Sequence, residues 1–168
     1  KHCARCSSRR RTMQARTMQR QLEAQEGRKR DVYRDSRGYW SIGIGHLISK
    51  DTTLTADQAR AIVAAPWTDK QIDAQFVADF DRETAAIRHA KPWIDELPEL
   101  VQEGIYDQCF QLGAGGSLAF HDMWAALEAA RTTGDFAPVE AAALNSLWHK
   151  QTPTRCQHTA AMLGNRAA

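Results

Sequence analysis

No apolar run in this chain approaches the roughly 20 residues that cross a bilayer as a helix, which excludes a helical membrane span. The N-terminus is basic and carries no apolar h-region, so no secretory signal is visible. Lys1 is not an initiator Met, which gives the expectation of a processed chain or one cut from something longer. No internal repeat or low-complexity linker appears, so a repeat array is excluded. Cysteine is scarce, with four in 168 residues. Cys3 and Cys6 form a C-x-x-C after His2, but Cys109 and Cys156 do not supply the second half of a zinc site, so ordinary thiols are expected. Cys109 and Cys156 fall on apolar helical faces and are expected as buried free thiols, with a disulfide between them left open.

What remains has the make-up of an ordinary globular protein, 43% hydrophobic and 25% charged. The net charge of +2 hides an asymmetry. Residues 1–30 hold ten Lys/Arg against Glu23 and Glu26, a balance of +8, whereas residues 31–168 hold twelve against eighteen acids, a balance of −6. The basic arm at 1–15 is read as a solvated lead-in, with binding to nucleic acid or an anionic cell wall as the alternative.

Met18, Leu22 and Glu26 recur at i, i+4 on one face of a predicted helix over 16–26, which Gly27 stops. Residues 31–48 alternate as strands around a turn at Asp35–Gly38, and Gly43 and Gly45 let the next strand fold back. Two capping-box patterns follow. Thr55–Gln58 opens a short helix to about Ala65, and Thr68–Gln71 opens a long one with Ile72, Phe76, Phe80 and Ile87 inward, ending before Pro92. The rest is helical. Val101, Ile105 and Leu112 face the core of a helix that ends at Gly113. Met123, Trp124 and Leu127 line the next one. Val139, Leu144, Leu147 and Trp148 are buried along 137–149, and Thr152–Pro153 caps a last helix to Leu163. The expected fold is α+β and mostly α, a single domain over 16–168. A small antiparallel β lobe (about 27–67) and a helical lobe (about 91–165, plus helix 16–26) are joined by a long helix at about 69–90.

Two carboxylates stand out. Glu26 ends an apolar helical stripe, where desolvation raises a carboxyl pKa towards that of a working general acid. Asp35 sits in a polar turn that keeps it ionised, and Ser41 on the facing strand offers a hydroxyl to hold water beside it. That division of environments suits glycosidic hydrolysis, in which one carboxyl protonates the leaving oxygen and another directs water. Arg155 falls in the first turn of the last helix, where a cation opposes the macrodipole and wants an anion; Glu26 is the candidate. His46 is expected to pair with Asp79 on the long helix, in a structural role.

The run E-G-x(7)-D-x(5)-S-I-G-I-G-H-L from Glu26 to Leu47 resembles the signature of the phage lysozyme family, the muramidases of T-even-like bacteriophages. Phe110–Gly113, Gly115–Gly116 and Phe120 are similar to the family's cleft-lining segment, and Trp148–Arg155 is similar to its W-x-x-Q-T-P-x-R segment. The resemblance implies a lysozyme-like fold with Glu26 as proton donor, Asp35 as second acid and Ser41 where many members have Thr. It puts Phe110, Gln111 and Phe120 on the sugar-binding side, with Leu47 opposite. Met123 and Ala142 depart from it, standing where relatives carry polar saccharide-binding residues. The implied activity is hydrolysis of the β-1,4 bond between N-acetylmuramic acid and N-acetylglucosamine in bacterial peptidoglycan. It requires no metal or organic cofactor and is carried out by a monomeric domain acting at the cell wall. Gly115–Gly116 is more similar to lysozyme domains of phage tail proteins than to free endolysins, which, with the missing Met, raises a virion-associated domain beside a free enzyme released to the wall after membrane permeabilisation. A lytic transglycosylase and a non-catalytic wall- or nucleic-acid-binding module are the alternatives.

Overall fold

The computed structural model describes residues 17–24, 27–35 and 37–166. The basic arm with Cys3 and Cys6, the catalytic candidate Glu26 and the turn residue Ser36 lie outside the described residues. The architecture is α+β and mostly helical, and it divides into two compact units at Asp81/Arg82.

In the first unit, residues 17–24 form helix α1, with Met18 and Leu22 fully buried. Gly27, at φ +75°, donates its N–H to the Glu23 carbonyl, so the chain leaves the helix through a left-handed residue that glycine adopts without penalty. Strands β1 (Lys29–Arg34), β2 (Trp40–Gly43) and β3 (His46–Ser49) form an antiparallel sheet in that order. Gly43 and Gly45 take positive φ in the tight β2–β3 turn, with Ile44 buried between them. Helix α2 (Ala56–Val63) opens on a reciprocal box in which Thr55 Oγ1 accepts from Gln58 N–H and Gln58 Oε1 accepts from Thr55 N–H. Helix α3 (Asp69–Ala90) repeats the device with Thr68 and Gln71. Ile72, Phe76, Phe80 and Ile87 are all buried along it, and α3 continues from the first unit into the second.

The second unit adds a short 3₁₀ turn (Ile94–Glu96) and helices α4 (Glu99–Leu118), α5 (His121–Thr133), α6 (Ala137–Leu144), α7 (Leu147–Gln151) and α8 (Pro153–Leu163). Helix α4 packs on α8, which also carries α6 and α7, while α5 packs on α6. A methyl group at Gly104 would lie only 3.1 Å from the Leu163 backbone nitrogen, so this glycine sets how closely α4 and α8 approach. Cys109 and Cys156 are buried free thiols.

Several helical expectations change here. Gly113 does not end its helix: it breaks α4, with φ 75° and ψ 159°, and helical turns resume to Leu118. Leu112, just before the break, is half-buried instead of in the core. The stretch 137–149 is two helices. Ser146 is extended and caps α7 by accepting from His149 N–H, which restarts the helical phase. Leu147 therefore points outward at 68% exposure and Leu144 is half-buried, while Val139 and Trp148 remain in the core. Thr152 precedes Pro153 at the start of α8, but its hydroxyl donates back to the Trp148 carbonyl at 3.2 Å and does not cap the new helix.

Candidate active site

In the first unit, Asp35 N–H donates to the Tyr39 carbonyl and Gly38 N–H donates to the Asp35 carbonyl, which closes the β1–β2 turn. The Asp35 side chain takes part through one oxygen only. Its Oδ1 accepts from Arg37 and Tyr39 N–H, each at 2.8 Å, the pattern of an Asx-turn. Among the described residues Oδ2 takes no hydrogen bond. A carboxylate held rigidly by one oxygen, with the other left to accept, is suited to orienting a water molecule.

Ser41 sits at the centre of β2, opposite Tyr33 on β1 and Leu47 on β3, and is buried at 3% exposure. Its hydroxyl makes no hydrogen bond among the described residues. Leu47, on the neighbouring strand, is 42% exposed. His46, one residue earlier, brings Nδ1 to 2.7 Å from Asp79 Oδ2, and Gln75 Nε2 donates to the other Asp79 oxygen at 3.1 Å. The His46 ring also lies against Trp67, with centroids 5.7 Å apart. Sheet and α3 are thus tied by a pair whose carboxylate is buried.

The segment that carries Glu26 is flanked by a dense ion network. Arg28 Nη2 reaches Asp73 Oδ1 at 2.6 Å, its Nε reaches Asp69 Oδ1 at 3.2 Å, and its Nη1 reaches Glu23 at 3.3 Å. Arg30 pairs with the same Asp69. The hydrogen bond to Asp73 is the main reason the Arg28 guanidinium is held above its ordinary pKa. Paired with Arg30 first and Arg28 second, Asp69 is held below the usual carboxylate range. The chain is therefore anchored at Glu23 before Glu26 and at Arg28 after it.

In the second unit, Trp148 Nε1 donates to Gln111 Oε1 at 2.7 Å. An indole N–H only donates, so this bond fixes which end of the amide is oxygen, and the Gln111 Nε2 is without a partner among the described residues. The Phe120 ring meets Trp148 edge-on at 6.1 Å. Phe110 is half-buried on α4, one residue before Gln111. A hollow of about 350 Å³ lies between the start of α5 (Phe120, Met123) and the α6–α7 turn (Ala142, Asn145, Ser146, Leu147). Met123 and Ala142 make part of its lining apolar.

Arg155 is seated on α8 against α4, where its Nη2 lies 3.1 Å from Asp107 Oδ1. Asp107 is 2% exposed and also accepts from the Thr159 hydroxyl. Sequence reasoning assigned Arg155 to Glu26. Its described anion is Asp107, which that reasoning missed: Asp107 lies two residues from both Ile105 and Cys109, off the i, i+4 spacing of their face, so no periodic signal marked it. Among the described residues no group of three or more His, Cys, Asp or Glu side chains could hold a metal ion, and no helix is long and apolar enough to cross a membrane.

Comparison with known proteins converges on one family. The model of the phage lysozyme family matches residues 23–157. The pre-baseplate central spike protein Gp5 of Enterobacteria phage T4 is 29% identical over 153 residues, covering 83% of this chain and 26% of that protein. The probable T4-type lysozyme 1 of Dictyostelium discoideum is 26% identical over 154 residues, covering 80% of this chain and 85% of that protein. The chain thus spans only a quarter or so of the spike protein but most of the second relative. With four-fifths of its length matched, including the turn of Asp35, the sheet with Ser41 and the Gln111–Trp148 pair, the chain belongs to the phage lysozyme family.

Proposed function

We propose that this protein is a peptidoglycan muramidase that hydrolyses the β-1,4 bond between N-acetylmuramic acid and N-acetylglucosamine with inversion. Glu26 protonates the leaving oxygen. Asp35 and Ser41 direct water from the opposite face of the sugar. Gln111, Phe110, Phe120 and Leu47 are the sugar-binding residues of this reading. Arg155, His46 and Asp79 support the site without touching substrate. Residues 16–168 act as one catalytic domain behind the basic arm at 1–15. The similarity to a spike protein of a phage baseplate favours a virion-borne domain that breaches the wall during infection.

The observation that carries this reading is the Asp35 carboxylate, with Oδ1 committed to its own turn and Oδ2 left to accept from water. General acid and base contributions are each worth about 10²–10⁴-fold in rate. Glu26→Gln and Asp35→Asn should therefore each lower the rate of wall lysis by at least about 10²-fold while leaving the thermal transition in place. Proton NMR of the first-formed product should show the α-anomer. A β-anomer would contradict inversion, and undiminished lysis by Glu26→Gln would contradict the acid assignment.

A further inference from the structure

The break in α4 leaves a backbone donor that an uninterrupted helix would use. At φ 75° and ψ 159°, Gly113 occupies a region open essentially to glycine alone. In a continuous helix the Ala114 N–H would donate to the Phe110 carbonyl. Instead it donates to Glu83 Oε2 at 2.8 Å, a carboxylate 31 residues away on α3 and within the same compact unit. The far end of the resumed turns is held separately: the Ser117 hydroxyl donates to Gln108 Oε1 at 2.7 Å, and Trp124 Nε1 donates to the Ser117 carbonyl at 2.8 Å. Glu83 is thus the side chain that holds the near end.

The residues on either side of these turns matter to the site. Gln111 lies two positions before Gly113, and Phe120 follows Leu118. Both contact Trp148, one by hydrogen bond and the other by ring edge. We propose that Glu83 is a positioning residue: by accepting the Ala114 N–H it locks the Gly113 break, and so sets the Gln111–Trp148–Phe120 group in the geometry that binds the glycan. Glu83 touches no substrate in this account. The proposal rests on the muramidase reading for what that group binds, but not for the latch itself. The competing description is an ordinary surface acid, paired with its neighbour Arg82 at 3.3 Å.

The test uses the whole chain and two readouts. One is the KM and kcat for soluble, uncross-linked peptidoglycan strands. The other is the Trp148 indole N–H resonance, assigned with Trp148→Phe, which reports the bond to Gln111 without any substrate. Glu83→Ala should shift or broaden that resonance and raise KM about five- to tenfold, with kcat within about twofold, as expected for loss of a charge-assisted bond that shapes binding alone. Glu83→Gln keeps an acceptor oxygen and should restore both readouts. Ala114→Pro removes the donor at a first helical position where proline is tolerated, and the extended ψ of Gly113 suits a residue before proline. It should reproduce Glu83→Ala, and the double variant should be no worse than either, which also covers the case in which Glu83→Ala folds poorly. An unmoved resonance with an unchanged KM in Glu83→Ala would overturn the proposal. A moved resonance with unchanged KM would uphold the latch and overturn Gln111 as a glycan contact, which is a failure of the functional reading.

Discussion

Asp107 and Arg155 show how a single partner decides what a residue is worth. A buried ion pair is weak evidence for stability, but deleting one member leaves a desolvated charge and costs about 3–5 kcal/mol. Arg155→Ala should therefore destabilise the fold by about that much in urea unfolding, because it strands an Asp107 carboxylate only 2% exposed. Adding Asp107→Asn should recover most of the loss, since the amide needs no counter-charge; a double variant as unstable as Arg155→Ala would contradict the pairing. An activity loss in Arg155→Ala has to be separated from this instability before it says anything about Glu26. Asp35 makes the complementary point. The turn geometry and the proposed water-directing role coexist because they use different oxygens of one carboxylate.

Elements whose causes are local were legible in the sequence. The two Thr-x-x-Gln boxes start α2 and α3 where the spacing puts them, and the i, i+4 stripe from Ile72 to Ile87 is buried as the period requires. Features set by distant partners were not. A glycine after an apolar helical run has the same sequence signature whether it ends a helix or breaks it. At Gly113 the difference lies in Glu83, Gln108 and Trp124 holding the turns beyond it. Leu147 is exposed because Ser146 restarts the helix one residue earlier, which shifts the face that a continuous period would have buried. In the candidate site, Asp35, Ser41 and Gln111 stood out through motif and turn chemistry, whereas Asp107 and Glu83 act through contacts of high sequence separation. A methyl group at Gly113 would meet nothing within 4 Å, so any penalty there is backbone strain alone. Gly113→Ala should accordingly cost about 1–3 kcal/mol in equilibrium unfolding. A neutral result would mean that the break does not require glycine.

Across the whole molecule, burial of ionisable groups gives stability an alkaline limit. Desolvation pushes the Cys109 thiol from 9.0 to about 12, with Glu83 adding to the rise, and pushes Cys156 to about 11. Burial likewise takes the Tyr106 hydroxyl from 10.0 to about 12, outweighing the opposing charge of Arg88. All three folded values lie above the unfolded ones, so their contribution is complete below pH 9.0 and is lost as pH rises towards 11–12, where the unfolded chain has already released its protons. Tm should fall between pH 9 and 11, and a Cys109→Ala, Cys156→Ala variant should lose less over the same range. Identical slopes would contradict the burial argument. The central claim concerns what the protein does to a wall, and digestion of purified peptidoglycan in oxygen-18 water tests it most directly. Hydrolysis puts one heavy oxygen on the reducing muramic acid for each bond cut, so mass spectrometry of the muropeptides should show that label with the native chain and none with Glu26→Gln. Anhydro-muramyl ends without label, or no cleavage by the native chain, would contradict the account.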